Sequence, residues 1–147
     1  MSGVQLRAGF HSEAISLHLA RLAIADAAGY ITAREDIGEY MVGEVQDNLD
    51  GQKLFDGSPM KQSKAAKDRR GKTLIAKHHL YDSYVFQLSP GGVQIGSELI
   101  YAAIHHFGGS TGRGKKTHIE ANPVLGVGPA QELRIGDILV AEIEAMA

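Results

Sequence analysis

No cysteine occurs in this chain of 147 residues, which removes disulfides, thiolate metal sites and a cysteine nucleophile. No apolar run approaches the ~18 residues that a membrane span needs. The start of the chain lacks a cationic segment followed by an uninterrupted apolar core, so no secretory signal is expected and the protein is expected to stay in the cytosol where it is made. Hydrolase signatures are missing too: there is no Gly-x-Ser-x-Gly elbow and no His-Glu-x-x-His. Gly112-x-Gly114-Lys115-Lys116-Thr117 superficially suggests a phosphate loop but lacks the Gly-x-x-x-x-Gly-Lys-Thr spacing, and no buried strand leads into it. Asp36 and Glu39 sit at a spacing common on exposed helices. No enzymatic activity and no cofactor are expected.

What is present is an ordinary globular composition, 44% hydrophobic and 22% charged, long enough for one domain that buries roughly 70% of its unfolded surface. Net charge is −2 but unevenly spread. Residues 1–50 carry −5, residues 51–80 carry +6 and residues 81–147 carry −3. The middle block therefore suits an acidic surface or nucleic acid, or is a solvated loop.

Periodicity predicts an α+β domain spanning 1–147, with an N-terminal helical pair and a C-terminal helix packed on a small antiparallel β-sheet. Ser12–Ala28 is the first helix, with Ile15, Leu19 and Leu22 on one face and Gly29 closing it. Thr32 and Glu35 form a capping box for the second, whose apolar positions are Ile37, Tyr40, Met41, Val45 and Leu49, with Gly51 at its end. Periodicity then vanishes over a long basic loop, residues 54–72, in which Ser63–Arg70 has the composition to turn helical on meeting a partner. Alternation of Tyr84, Phe86 and Leu88 with polar neighbours, then Pro90-Gly91-Gly92 and Val93-Gln94-Ile95, predicts a β-hairpin over Ser83–Gly96. Tyr101–Phe107 reads as a short helix capped by Gly108, packing Tyr101, Ile104 and Phe107 on the hairpin. A second flexible basic loop covers 108–117, and Thr117–Glu120 returns as an edge strand. Pro129 starts a last helix with Leu133, Ile138, Leu139, Ile143 and Met146 as apolar positions, or a hairpin turn intervenes at Gly136-Asp137.

The seven histidines raise a metal site. The pairs His78-His79 and His105-His106 are adjacent, however, and neighbours on a helix point about 100° apart, so neither chelates locally. A metal-dependent hydrolase using dispersed histidines is the weakest alternative, and no metal ligand is assigned. Non-specific DNA binding, or lining of a DNA channel through the basic loops, is the stronger one, although no recognition helix or stacking cluster accompanies the cations.

The ordered motifs Phe55-Asp56-Gly57-Ser58-Pro59-Met60, Lys72-Thr73-Leu74-Ile75, Leu80-Tyr81-Asp82-Ser83, Val93-Gln94-Ile95-Gly96-Ser97, Tyr101–Gly109 and Ile119–Gly126 resemble the phage virion morphogenesis family, the tail-completion proteins of Mu-like phages and prophages. The resemblance covers about residues 10–145. It implies a non-enzymatic structural protein of the virion, acting at the head–tail junction to complete the tail and enable head joining, with assembly in the host cytoplasm and no membrane. An oligomeric ring is implied by analogy, with the chain itself and other tail or head–tail connector proteins as partners and possible non-specific contact with DNA in the channel. The residues expected at a subunit, partner or DNA-channel surface are Lys61, Lys64, Lys67, Arg69, Arg70, Lys72, Arg113, Lys115 and Lys116. Tyr101, Ile104, His105, His106, Phe107, Gly108, Gly109, Pro123 and Leu125 are expected to anchor that surface.

Overall fold

The computed structural model describes residues 17, 19–21, 23, 30–75 and 78–145. Of the expected Ser12–Ala28 helix only residues 17, 19–21 and 23 fall among these, and they are helical; the rest of that expectation lies outside the described residues. The architecture is α+β, with helices ordered around two small antiparallel sheets.

Helix α1 (Ile31–Gly51) is the spine. Ala33, Ile37, Met41, Val45 and Leu49 recur every four residues and are all buried. At about 100° per residue, each four-residue step advances the stripe by about 40°, so it winds slowly around the helix and its two ends meet different partners. Each large apolar side chain buried this way contributes about 1.5–3 kcal/mol. The C-terminal end of the stripe, Val45 and Leu49, joins Met60, Leu80, Tyr84, Ala102 and Val124 in the main core.

Both expected caps of α1 are corrected. Tyr30, in the left-handed region, is the N-cap without a side-chain bond. Thr32 and Glu35 lie inside the helix, where the hydroxyl no longer has the extended backbone that a capping side chain uses. At the other end Gly51 is still helical, and Gln52 takes the left-handed position usually given to glycine. Gln52 N–H donates to Leu49 O at 3.2 Å and Lys53 N–H to Asn48 O at 2.9 Å, the paired bonds of a Schellman ending.

Strands β1 (Tyr84–Ser89) and β2 (Gly92–Ser97) form the expected hairpin, in register Tyr84↔Ser97 through Ser89↔Gly92, around a Pro90-Gly91 turn with Gly91 at φ 72°. It packs on α1. Contact is so close at Gly38 that a Cβ there would overlap the Phe86 ring. Arg34 clamps the turn from above, its Nη1 donating to Ser89 O at 2.6 Å and Gly92 O at 2.9 Å.

Helix α2 (Lys64–Asp68) interrupts the basic segment, and α3 (His79–Ser83) leads into β1. Helix α4 (Ala102–Phe107) ends at Gly108 as expected, but its packing differs. Ala102 enters the core, whereas Tyr101 is exposed and Phe107 is 77% exposed. Fewer than two turns cannot present a long apolar face, and the orientation is set instead by Ala102 and by the Asn122 N–H bonded to His105 O at 2.8 Å.

Strand β4 (Thr117–Ile119) appears where an edge strand was expected, but paired with β3 (Gly109–Thr111), across a 3-10 turn at Arg113–Lys115. Helix α5 (Pro129–Ala145) runs unbroken through Gly136-Asp137 and packs against α1. Among its expected apolar positions, Ile138 and Leu139 are half-buried, whereas Leu133 and Ile143 are exposed. Met146 lies outside the described residues.

Candidate functional site

The basic segment is held by polar side chains bonded to backbone rather than by an apolar stripe. Gln52 is the first tie. Its Nε2 donates to Leu49 O at 2.6 Å and Thr73 O at 3.1 Å, while its Oε1 accepts from Thr73 N–H at 2.7 Å. The amide thereby imitates a strand neighbour for Thr73, which is buried. The Thr73 hydroxyl is the second tie, accepting from Ser63 N–H at 2.9 Å and donating to Lys61 O at 3.3 Å. Ser63 then caps α2, its Oγ accepting from Ala66 N–H at 3.2 Å, and Ala66 is buried beneath. Ser63–Arg70 is thus helical at Lys64–Asp68 in the single chain. Upstream, Asp56 accepts from Ser58 N–H at 2.9 Å, and the Ser58 bonds hold its carboxyl below the usual range.

All nine expected cations are exposed. Lys61, Lys64 and Arg69 line one side of a groove of about 920 Å³, which also takes in Leu80, Tyr101, His105 and Ile119 from α3, α4 and β4. Lys72 instead donates its Nζ to Asp50 O at 2.6 Å, and Arg69 Nη2 bonds Lys72 O. Arg113, Lys115 and Lys116 sit at the β3–β4 turn and are not part of the groove lining. These cations stand next to the groove, since Thr117 and His118, which follow Lys116 directly, line it. The groove was invisible in the sequence, because its walls come from four segments that no spacing rule connects.

His79, His105 and His118 line the same groove, yet among the described residues no three His, Asp or Glu side chains are arranged to hold a metal. Burial pushes the His105 imidazole below its ordinary value, and its ring meets Tyr101 edge-on at 5.9 Å between centroids. His106 stacks edge-on against Phe107 at 4.6 Å. Tyr84, in the core, has its phenol raised by burial.

Pro123 and Leu125 lie in a strap that crosses the core edge, tied by backbone bonds at its neighbours. Asn122 N–H donates to His105 O, Pro123 O accepts from Phe55 N–H at 3.1 Å, and Val124 O accepts from the Asn48 side chain at 2.9 Å. Gly108 crosses this strap at φ 71°, where a Cβ would meet Ala121 N at 2.8 Å and Ile119 O at 2.9 Å, so only glycine fits. Gly109, just beyond, leaves room for the Ile104 side chain. Leu125 packs against the core. Gln131, missed in the sequence, finishes the strap: its Oε1 accepts from Gly128 N–H at 2.9 Å, half of a capping box for α5, and its Nε2 donates to Phe55 O at 2.9 Å. The Gln at the third helical position after Gly128-Pro129 was the available signal.

The sequence profile of the phage virion morphogenesis family matches residues 11–144. The chain is 38% identical over 72 residues to the Mu-like prophage FluMu G protein 2 of Haemophilus influenzae, a stretch covering 49% of this chain and 52% of that relative. The match thus spans about half the length of that protein. No solved structure matches. Among the described residues no helix is long and apolar enough to cross a membrane.

Proposed function

This chain belongs to the phage virion morphogenesis family, and from that premise we propose that it is a non-enzymatic structural component of the head–tail junction. It completes the tail so that a head can join, working as a subunit of an oligomeric ring. The family match over nearly the whole chain is the observation that carries this reading. A fold with an ordered, exposed basic surface supports it. A head-to-tail ring needs two unlike complementary surfaces on each subunit. The basic block of residues 51–80, at +6, supplies one, and the flanking segments, acidic at −5 over residues 1–50 and −3 over residues 81–147, hold the candidates for the other.

The test is a null allele in a phage or prophage that carries this gene, read by electron microscopy of the lysate. Filled heads and tails that lack only this completion step should accumulate unjoined, and added purified protein should restore joined particles. Normal numbers of joined particles without the protein would sink the proposal, as would a complete lack of tails. A second contact, with DNA in the channel, is favoured by the Arg113–Lys115 turn, whose cations are exposed and outside the groove lining. Filter binding of duplex DNA by the assembled ring should then weaken steeply between low and moderate salt.

A further inference from the structure

We infer that the groove beside α2 receives helix α5 of a second copy of this chain. The inference rests on the ring proposed above and names the two surfaces that would meet in it. The groove has a mixed character. Lys61, Lys64 and Arg69 are exposed along it, while Leu80, Tyr101 and Ile119 give it an apolar interior. Asp68 and Glu120 also line it, but the whole 61–72 segment carries six cations against one carboxylate. At about 920 Å³ it is at the upper end of the ~300–1,000 Å³ of small-molecule pockets. Its walls bring apolar Leu80, Tyr101 and Ile119 from separate segments, which suits a helix laid in a groove through spaced apolar anchors.

Helix α5 offers the complementary pattern. Its buried side meets α1, and its outer side carries Leu133, Asp137, Val140 and Glu144, all exposed. Those positions are spaced four, three and four apart, the seam spacing of a helix that packs against another surface. Apolar and acidic residues alternate along the seam. Leu133 is 72% exposed and Val140 52% exposed, so among the described residues the seam is left largely open. The helix as a whole bears four carboxylates against one arginine. Helix α1 is the competing acidic surface, through Glu35, Asp36, Glu39, Asp47 and Asp50. Its only large apolar exposed residue is Ile31, however, so it matches the cations and leaves the apolar interior unfilled. Duplex DNA has the same shortcoming, since phosphates gain nothing from Leu80 and Ile119. Because groove and seam are different surfaces, their contact is head-to-tail and propagates from one subunit to the next.

The lack of native cysteine makes the contact directly testable. Lys64→Cys combined with Asp137→Cys, both at exposed positions, is oxidised with copper phenanthroline in the assembled particle. A ladder of covalent multimers should appear at least tenfold above either single variant, since one thiol per subunit stops at a dimer. Adding Leu133→Asp should abolish the ladder. A second pair, Arg69→Cys with Glu144→Cys, covers a failure of reach or folding in the first. If neither pair gives a ladder in particles that contain the protein and join normally, the groove–helix contact is wrong while the junction role stands. A ladder from Lys64→Cys with Glu39→Cys in its place would assign the neighbour to α1 and equally overturn the inference. Protection of Lys61 and Lys64 from acetylation by added duplex DNA, and not by assembly, would overturn it in favour of DNA. The junction role fails separately, by the joining of particles that lack the protein.

Discussion

Replacing Gln52 strips the support from the basic surface while leaving every one of its charges in place. In Gln52→Ala, the N–H and C=O of Thr73 lose their partner at a buried site. Each group left unsatisfied costs about 1–3 kcal/mol. Partial access of water through the half-buried position 52 brings the expected total to about 2–4 kcal/mol, a large share of the ~5–15 kcal/mol that holds a domain folded. Alanine is a fair comparison, because it suffers in the left-handed region much as glutamine does. Gln52→Gly should be milder by about 1 kcal/mol, since glycine adopts that conformation without a clash. Gln52→Glu is the informative isostere: it keeps an acceptor for Thr73 N–H but turns a donor into a charged acceptor facing Leu49 O and Thr73 O. It should be at least as damaging at pH 7 and recover as acid protonates it, because only the protonated form can donate. Urea unfolding gives the free energies, with an unchanged denaturant slope showing that only stability has moved. Limited trypsin digestion gives the local effect, since residues 61–72 carry six cleavable cations. Gln52→Ala within about 0.5 kcal/mol of the parent, the scale of an ordinary surface change, with trypsin cleavage unaltered, would refute the reasoning.

Gly38→Ala should lose about 1–3 kcal/mol in urea through overpacking against the Phe86 ring, and a fully stable variant would show that α1 and the hairpin can slide apart at no cost. Asn48→Ala should lose about 1–3 kcal/mol by orphaning Val124 O in the core, measured in the same way; no loss would mean that water reaches the strap. His105 is held below its ordinary 6.5 by burial, so the unfolded chain binds the proton more readily. Stability should be complete above about pH 6.5 and fall as acid takes the pH through the lower folded value. His105→Gln should flatten that part of the urea midpoint's pH profile, and an unaltered slope would assign it elsewhere. Leu133→Ser, on the exposed seam of α5, should leave stability within about 0.5 kcal/mol, and a larger loss by urea would mean that the seam is packed within the chain.

Local patterns were legible where local forces decide. The helical spacing of Ile37, Met41, Val45 and Leu49 announced α1, and alternation around Pro90-Gly91 announced the hairpin, because each element buries one face. Pro129 likewise marked the start of α5. Strand β3 was missed since Gly109-Ser110-Thr111 has neither alternation nor strand propensity, and only β4 makes it a strand. The capping box at Thr32 was a correct local signature overridden by Tyr30, which begins the helix two residues sooner. Tyr101 and Phe107 were assigned inward because their spacing is helical, yet six residues are too few for spacing to fix a face. The cations themselves are legible as a run in the sequence. Their division into a groove wall and a separate turn depends on Thr73, Gln52 and Ile119, which the chain brings together from distant places.

Lys61, Lys64 and Lys67 owe their positions to Gln52, Ser63 and Thr73, which bond the backbone and leave these lysine side chains uninvolved. Recognition and architecture are consequently written in different letters. A lineage whose docking counterpart changes can rewrite those three lysines one at a time, each intermediate still folding, whereas Gln52 and Thr73 must be kept or replaced together. Drift should therefore be fast at the cations and slow at the small polar residues beneath them, the reverse of what the charges would suggest.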